Sequence, residues 1–189
     1  MTYISQSLTF ESDKIFYQDP ITEDIKEVMM DWEDNIMSAS AAYVCEGGGD
    51  ILEIGFGMGI SATYIQSHTI NSHTIIENHP DIIPKAQAWA ADKSNVTIVE
   101  GSWFDIKDTL STYDGSFSDT WGDNNADHYY SFLPSIMKPG GRATWWNGLT
   151  GSDLTHYGIS DITYKNIPVS PSPNCYFNHS NYLLPKKQF

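Results

Sequence analysis

Between Asp50 and Asn147 short apolar runs alternate with amphipathic ones, and this alternation limits the fold class before any motif is read. DILEI (50–54), HTIIE (73–77), NVTIVEG (95–101), GSFSDTW (115–121) and RATWWN (142–147) read as strands. Helices are expected in MGISATYIQSH (58–68), in DIIPKAQAWAAD (81–92), briefly near DIKDTL, and in ADHYYSFLPSIM (126–137). KPGG (138–141) reads as a turn. Strands alternating with helices imply a parallel sheet joined by right-handed crossovers. The tail breaks the rhythm. ISDITYKNI (159–167) and NCYFNHSNYLL (174–184) read as two strands joined by PVSPSP, with no helix of ordinary length between them. The expectation is an α/β fold: a mostly parallel, doubly wound sheet ending in an antiparallel strand pair.

The N-terminal part reads differently. Residues 1–20 are polar and aromatic and end at Pro20, which suggests an extended arm or lid. Ile25, Val28, Met29, Trp32 and Ile36 then fall at helical spacing, so a leading helix is expected over 21–46, stopped by Gly47–Gly49. With 189 residues, one domain follows: the arm, the leading helix, and a body of sheet and helices over 50–184.

Charge narrows the partners. The net charge is −14 and Arg142 is the single arginine. Such a surface repels phosphate backbones, which disfavours nucleic acid, and it favours a small cation or a basic partner. No apolar run approaches the ~20 residues of a membrane helix, and the first residues lack the pattern of a secretory signal. Cys45 and Cys175 have no CxxC spacing, and a reducing cytoplasm fits them best. The six histidines are scattered and suggest no metal site.

EIGFGMG (53–59) places three glycines on alternate positions between a strand and a helix. Glycine there lets backbone N–H groups approach a ligand. The spacing is G-x-G-x-G, with Ile60 next, so the dinucleotide fingerprint G-x-G-x-x-G is absent. A tight turn without a ligand is the other reading of these glycines. Glu77 ends the next strand, 22 residues beyond Gly55. An acid at that place can accept hydrogen bonds from ribose hydroxyls. GSWFD (101–105) follows the third strand, where Trp103 or Phe104 could stack on an adenine or simply belong to the core. Asp119 stands at the carboxyl edge of the fourth strand, the edge at which open parallel sheets bind ligands. Glu33 lies at the border of the apolar stripe of the leading helix, and spacing alone turns it towards water.

VMMDWE (28–33), LEIGFGMG (52–59), TIIENHP (74–80), SDTW (118–121), KPGG (138–141) and NGLT (147–150) occur in this order. In this combination the chain resembles guanidinoacetate N-methyltransferase and the related fungal and plant arginine N-methyltransferases, over residues 25–189. The resemblance implies the Rossmann-like class I methyltransferase fold, shortened at the C-terminal end. It implies S-adenosyl-L-methionine as cofactor and S-adenosyl-L-homocysteine as product. Around that cofactor it sets Glu53, Gly55, Gly57, Gly59, Glu77, Asn78, Ser102, Trp103 and Asp119. Glu33 and Asp119 match the two catalytic carboxylates that hold a guanidino group. Trp121 stands in the substrate region where the family has tyrosine, and Leu149 and Thr150 match positions whose backbone amides receive a substrate carboxylate. Phe104 stands where the family places an acid.

The reaction expected from this resemblance is N-methylation of a small guanidino compound such as guanidinoacetate. Protein-arginine methylation is one alternative, and a non-catalytic domain that binds cofactor or partner is another. A shortened tail would also expose apolar surface for a second copy, giving a homodimer.

Overall fold

The computed structural model describes residues 2–122, 125–147, 159–173 and 175–189. It corrects the N-terminal reading. Thr9–Phe10 (β1), Lys14–Gln18 (β2) and Ile25–Met30 (β3) form an antiparallel three-stranded sheet in the order β1-β2-β3. The expected arm therefore carries the first two of these strands, and the expected leading helix begins only at Asp34. Asp19 drives the difference. Its carboxylate accepts from the backbone N–H of Ile21 (2.8 Å) and Thr22 (3.1 Å), and its own N–H reaches the carbonyl of Asp24 (2.8 Å). That closes a turn and returns Ile25–Met30 along β2. The apolar spacing over 25–36 matched a helix, but cross-strand pairing prevailed over the period. Asp31–Glu33 form one 3-10 turn, and Asp34–Val44 form α1.

The body follows the expected alternation. In chain order come Asp50–Ile54 (β4), Ile60–Gln66 (α2), Ser72–Glu77 (β5), Ile83–Ala90 (α3) and Val96–Glu100 (β6). Trp103–Ile106 (α4), Tyr113–Ser118 (β7), Ala126–Ile136 (α5), Met137–Trp145 (β8), Thr163–Pro168 (β9) and Asn181–Gln188 (β10) complete it. The seven-stranded sheet runs β6-β5-β4-β7-β8-β10-β9. β4 is parallel to β5 and β7, as are β5 to β6 and β7 to β8. β10 is antiparallel to both β8 and β9.

Alternation along β4 covers both faces of the sheet. Leu52 and Ile54 pack with Trp103, Tyr129 and Leu133 on one side. Ile51 packs with Met37, Ala41 and Val44 of α1 and Ile65 of α2 on the other. The winding is therefore double. From β4 the chain moves outward through β5 to β6, then crosses back to β7. The switch in strand order falls between β4 and β7, where open α/β sheets form a crevice at the strand ends.

Three boundaries differ from expectation. The fourth strand of the alternation, β7, stops at Ser118 and leaves Asp119 on the following loop. KPGG is no turn but lies inside β8, where the register to β7 shifts and Gly140 adopts φ +84°. β10 starts at Asn181, so the connection from β9 occupies 169–180 and is longer than PVSPSP alone.

Candidate active site

A cavity opens at the switch point. Its floor is the loop after β4, its flanks are the ends of β5 and β7, and Val28 and Met29 of β3 form one wall. The glycines fix the floor. Gly55 has φ +93°, and a Cβ there would overlap the carbonyl oxygen of Asp119. A Cβ on Gly57 would overlap Met29 Sδ, which also accepts the Met58 N–H at 3.1 Å. These glycines therefore let the loop sit directly against the β7 edge and the N-terminal sheet.

Glu77, at the end of β5, is buried and lines the cavity. Its Oε2 accepts the Phe56 N–H at 2.9 Å. Its Oε1 accepts those of Asn78 (2.9 Å) and His79 (2.8 Å). A carboxylate offers about four acceptor positions. Three are filled by backbone, which locks the group and leaves room for a ligand hydroxyl. Asn78 also lines the cavity, as do Trp103 and Gly101. Ser102 precedes α4 and is not among the lining residues. Trp103 is 3% exposed and packs on Tyr129 and Phe132, so it serves both core and cavity wall.

Glu53 turns the other way. Its carboxylate is wholly buried, accepts the Ser61 hydroxyl, and lies 2.9 Å from His73 Nε2, off the hydrogen-bond line. It does not line the cavity, although its charge acts on Asp119.

Asp119 lines the cavity and keeps part of its surface open to it. Burial, and next the Glu53 charge, push its carboxyl up to about 7. Glu33 is 2% exposed, contrary to the solvent-facing position that spacing favoured. Burial and then the Asp119 charge raise it well above the usual carboxylate range. The two acids are thus electrostatic neighbours, brought together from the 3-10 turn before α1 and the loop after β7. Glu33 itself does not line the main cavity. Two like charges held in low dielectric are a standing cost unless a cation arrives.

That cost has a sign in pH. A carboxyl raised in the folded chain favours folding below its unfolded value, near 4, and loses that advantage as pH rises through the folded value, here about 7. Asp119→Asn is therefore expected to raise the melting temperature of the ligand-free protein at pH 8 by about 3–6 °C, with the gain shrinking towards pH 4. Differential scanning calorimetry at the two pH values checks this. An equal or negative shift at pH 8 would refute the strained pair.

Several lining residues carried no sequence signal. Tyr3 reaches into the cavity and packs on His79 (4.7 Å), Trp121 (5.0 Å) and Tyr17 (6.3 Å). Burial and the Glu77 charge push its phenol well above the ordinary value. The arm is pinned at Leu8, whose N–H bonds Asp81 at 2.9 Å. Trp121, which the resemblance set in the substrate region, lines the cavity as well. Leu149 and Thr150 lie outside the described residues.

The strand order, the reversed penultimate strand in the sheet, and the acid-and-glycine crevice together define a class I methyltransferase fold. Solved structures agree on the fold. Spermidine synthase from Thermotoga maritima superposes with a TM-score of 0.65 at 9% identity, covering 96% of this chain and 71% of that one. Precorrin-6y C5,15-methyltransferase from Geobacter metallireducens GS-15 gives 0.59 at 15% identity, covering 82% and 87%. A family model described as guanidinoacetate N-methyltransferase matches residues 18–184, and the chain belongs to this family. Among curated relatives, protein arginine N-methyltransferase 2 of Yarrowia lipolytica is 33% identical over 181 residues, 88% of this chain and 36% of its own. The protein of that name in Candida glabrata is 36% identical over 222 aligned positions, 100% of this chain and 52% of its own. The chain thus spans about half or less of the length of these relatives. No helix among the described residues is long and apolar enough to cross a membrane.

Proposed function

We propose that this chain is the catalytic domain of an S-adenosylmethionine-dependent N-methyltransferase whose acceptor is the guanidino group of an arginine in a protein. One observation carries the reading: Asp119, in a cavity that also presents Glu77 and the glycine loop, is paired electrostatically with the buried Glu33, and both carboxyls are raised. The relatives named protein arginine N-methyltransferase 2 support the acceptor. A net charge of −14 suits a basic protein partner through long-range attraction.

The residues fit the cofactor. Glu77 has an acceptor position left for a ribose hydroxyl, and the loop over Gly55–Gly59 leaves backbone exposed on the cavity floor. When bound, S-adenosylmethionine supplies a methyl carbon on a sulfonium, whose C–S electron pair stays with sulfur as the new N–C bond forms. Asp119 and Glu33 do the rest. A guanidinium entering between them relieves their repulsion, and paired carboxylates match its planar N–H fork. Asp119 then accepts the proton released from the attacking nitrogen, and its raised pKa suits that step near neutral pH. Holding nitrogen and methyl in line supplies the larger share of the acceleration.

Guanidinoacetate itself is the second reading, favoured by the description of the matching family model. Transfer of labelled methyl to an arginine-rich peptide, free arginine and guanidinoacetate separates the two. Label in the peptide is the expected result. Label only in guanidinoacetate selects the second reading, and label in none of them overturns both.

Glu77→Ala should weaken S-adenosylhomocysteine binding by about 1.5–3 kcal/mol, the worth of hydrogen bonds to a charged group. Titration calorimetry gives the number. Unchanged affinity would remove Glu77 from the cofactor site.

A further inference from the structure

The acceptor side of the site includes a residue to which no motif pointed. Tyr176 lies on the 169–180 connection between β9 and β10. Its hydroxyl donates to Glu33 Oε1 at 3.4 Å, across 143 residues of sequence. The residue is 52% exposed, yet this end of it turns inward to a carboxylate that is 2% exposed.

The contact is held from both sides by rings. Phe177, the next residue, is buried and stacks on Trp32 at 5.5 Å with an 18° interplanar angle. Trp32 immediately precedes Glu33. The Tyr176 ring lies 6.3 Å from Trp32 and 6.5 Å from Trp146. Acid and hydroxyl are thus carried by two neighbouring chain segments that are packed together next to the contact.

Glu33 needs such a partner. The charged or titratable groups acting on it are Asp119 and Glu27, both acidic, together with Tyr176. Cys175 also faces it, with a thiol raised mainly by burial. No cation is among them. Hydrogen bonding to the charged form of an acid favours that form, and Tyr176 is the side chain that does so here.

Resting on the guanidino reading above, we propose that Tyr176 is a positioning residue for the acceptor site, fixing Glu33 Oε1 so that the carboxyl group stays oriented when the guanidinium arrives. The tip of the β9–β10 connection thereby becomes part of the acceptor site. The 3.4 Å spacing is long for a bond to a carboxylate, and such contacts commonly tighten once substrate is bound.

Tyr176→Phe tests this in the full chain. It keeps the ring and its packing and removes only the hydroxyl. With an arginine-rich peptide as acceptor, KM should rise about fivefold to tenfold, the scale of one ordinary side-chain hydrogen bond. Affinity for S-adenosylhomocysteine should stay within about twofold, because the cofactor side is untouched. Loss of the donor raises Glu33 further, so the acidic limb of kcat/KM should move to higher pH by about half a unit or more. A role in packing alone would leave that limb in place. In a Glu33→Gln background the same change should alter peptide binding, read by calorimetry with S-adenosylhomocysteine present, by less than about twofold. A superimposable pH profile, or an equal loss in both backgrounds, would overturn the proposal. If Glu33→Gln itself leaves turnover intact, the guanidino reading fails. If Glu33→Gln is damaging and Tyr176→Phe is silent, only the Tyr176 assignment fails.

Discussion

Asp119→Asn is expected to lower kcat for guanidino methylation by about 10²–10⁴-fold, the usual worth of a positioned proton acceptor. The change is nearly isosteric, so the loop geometry and the Gly55 contact to the Asp119 backbone should survive. S-adenosylhomocysteine affinity should therefore stay within about twofold, which separates chemistry from cofactor binding. The pH behaviour should change in a stated direction. Burial raises Glu33 most, and the Asp119 charge is the next cause. Removing that charge brings Glu33 down, so the residual activity should set in at lower pH than in the parent. Retained turnover, measured as methyl transfer under single-turnover conditions, would end the assignment of Asp119 as proton acceptor.

Gly55→Ala should destabilise the fold by about 3 kcal/mol or more, since both strain and a backbone clash apply. For a chain of this size that corresponds to a fall in Tm of roughly 6–12 °C. The residue sits at φ +93°, and its Cβ would press on the Asp119 carbonyl, a backbone atom that cannot rotate away. Gly140 is the internal comparison. It has φ +84°, but nothing lies within 4 Å of its absent Cβ. Gly140→Ala should cost only about 1 kcal/mol, from conformation alone. Thermal melts of the two variants decide the matter. Equal shifts would show that the close approach at Gly55 contributes nothing.

What could be read from the sequence was local. The strand–glycine–helix run, Glu77 at the end of its strand and Asp119 at the carboxyl edge all follow from spacing within short segments, and the structure has them at one crevice. The reason for the glycines was not local. Gly55 answers to Asp119 and Gly57 to Met29, and no spacing rule links those positions. Residues 25–36 misled because a strand, a 3-10 turn and the start of a helix together imitated one helical period. The same error turned Glu33 towards water, when the turn after β3 in fact buries it. Tyr176 and Tyr3 were silent for a simpler reason. Each works through a contact to a distant part of the chain, and one sequence carries no trace of such pairing.

β3 has a consequence beyond its place in the small sheet. Met29 presses on the glycine loop, and Glu33 follows it by four residues, with most of that interval locked in a 3-10 turn. Strand end and turn thus form a short tie between the glycine loop and the buried acid. A displacement of the loop has little slack in which to dissipate before it reaches the acid. On the function proposed above, the cofactor loop and the acceptor acid are tied through the five residues Met29–Glu33.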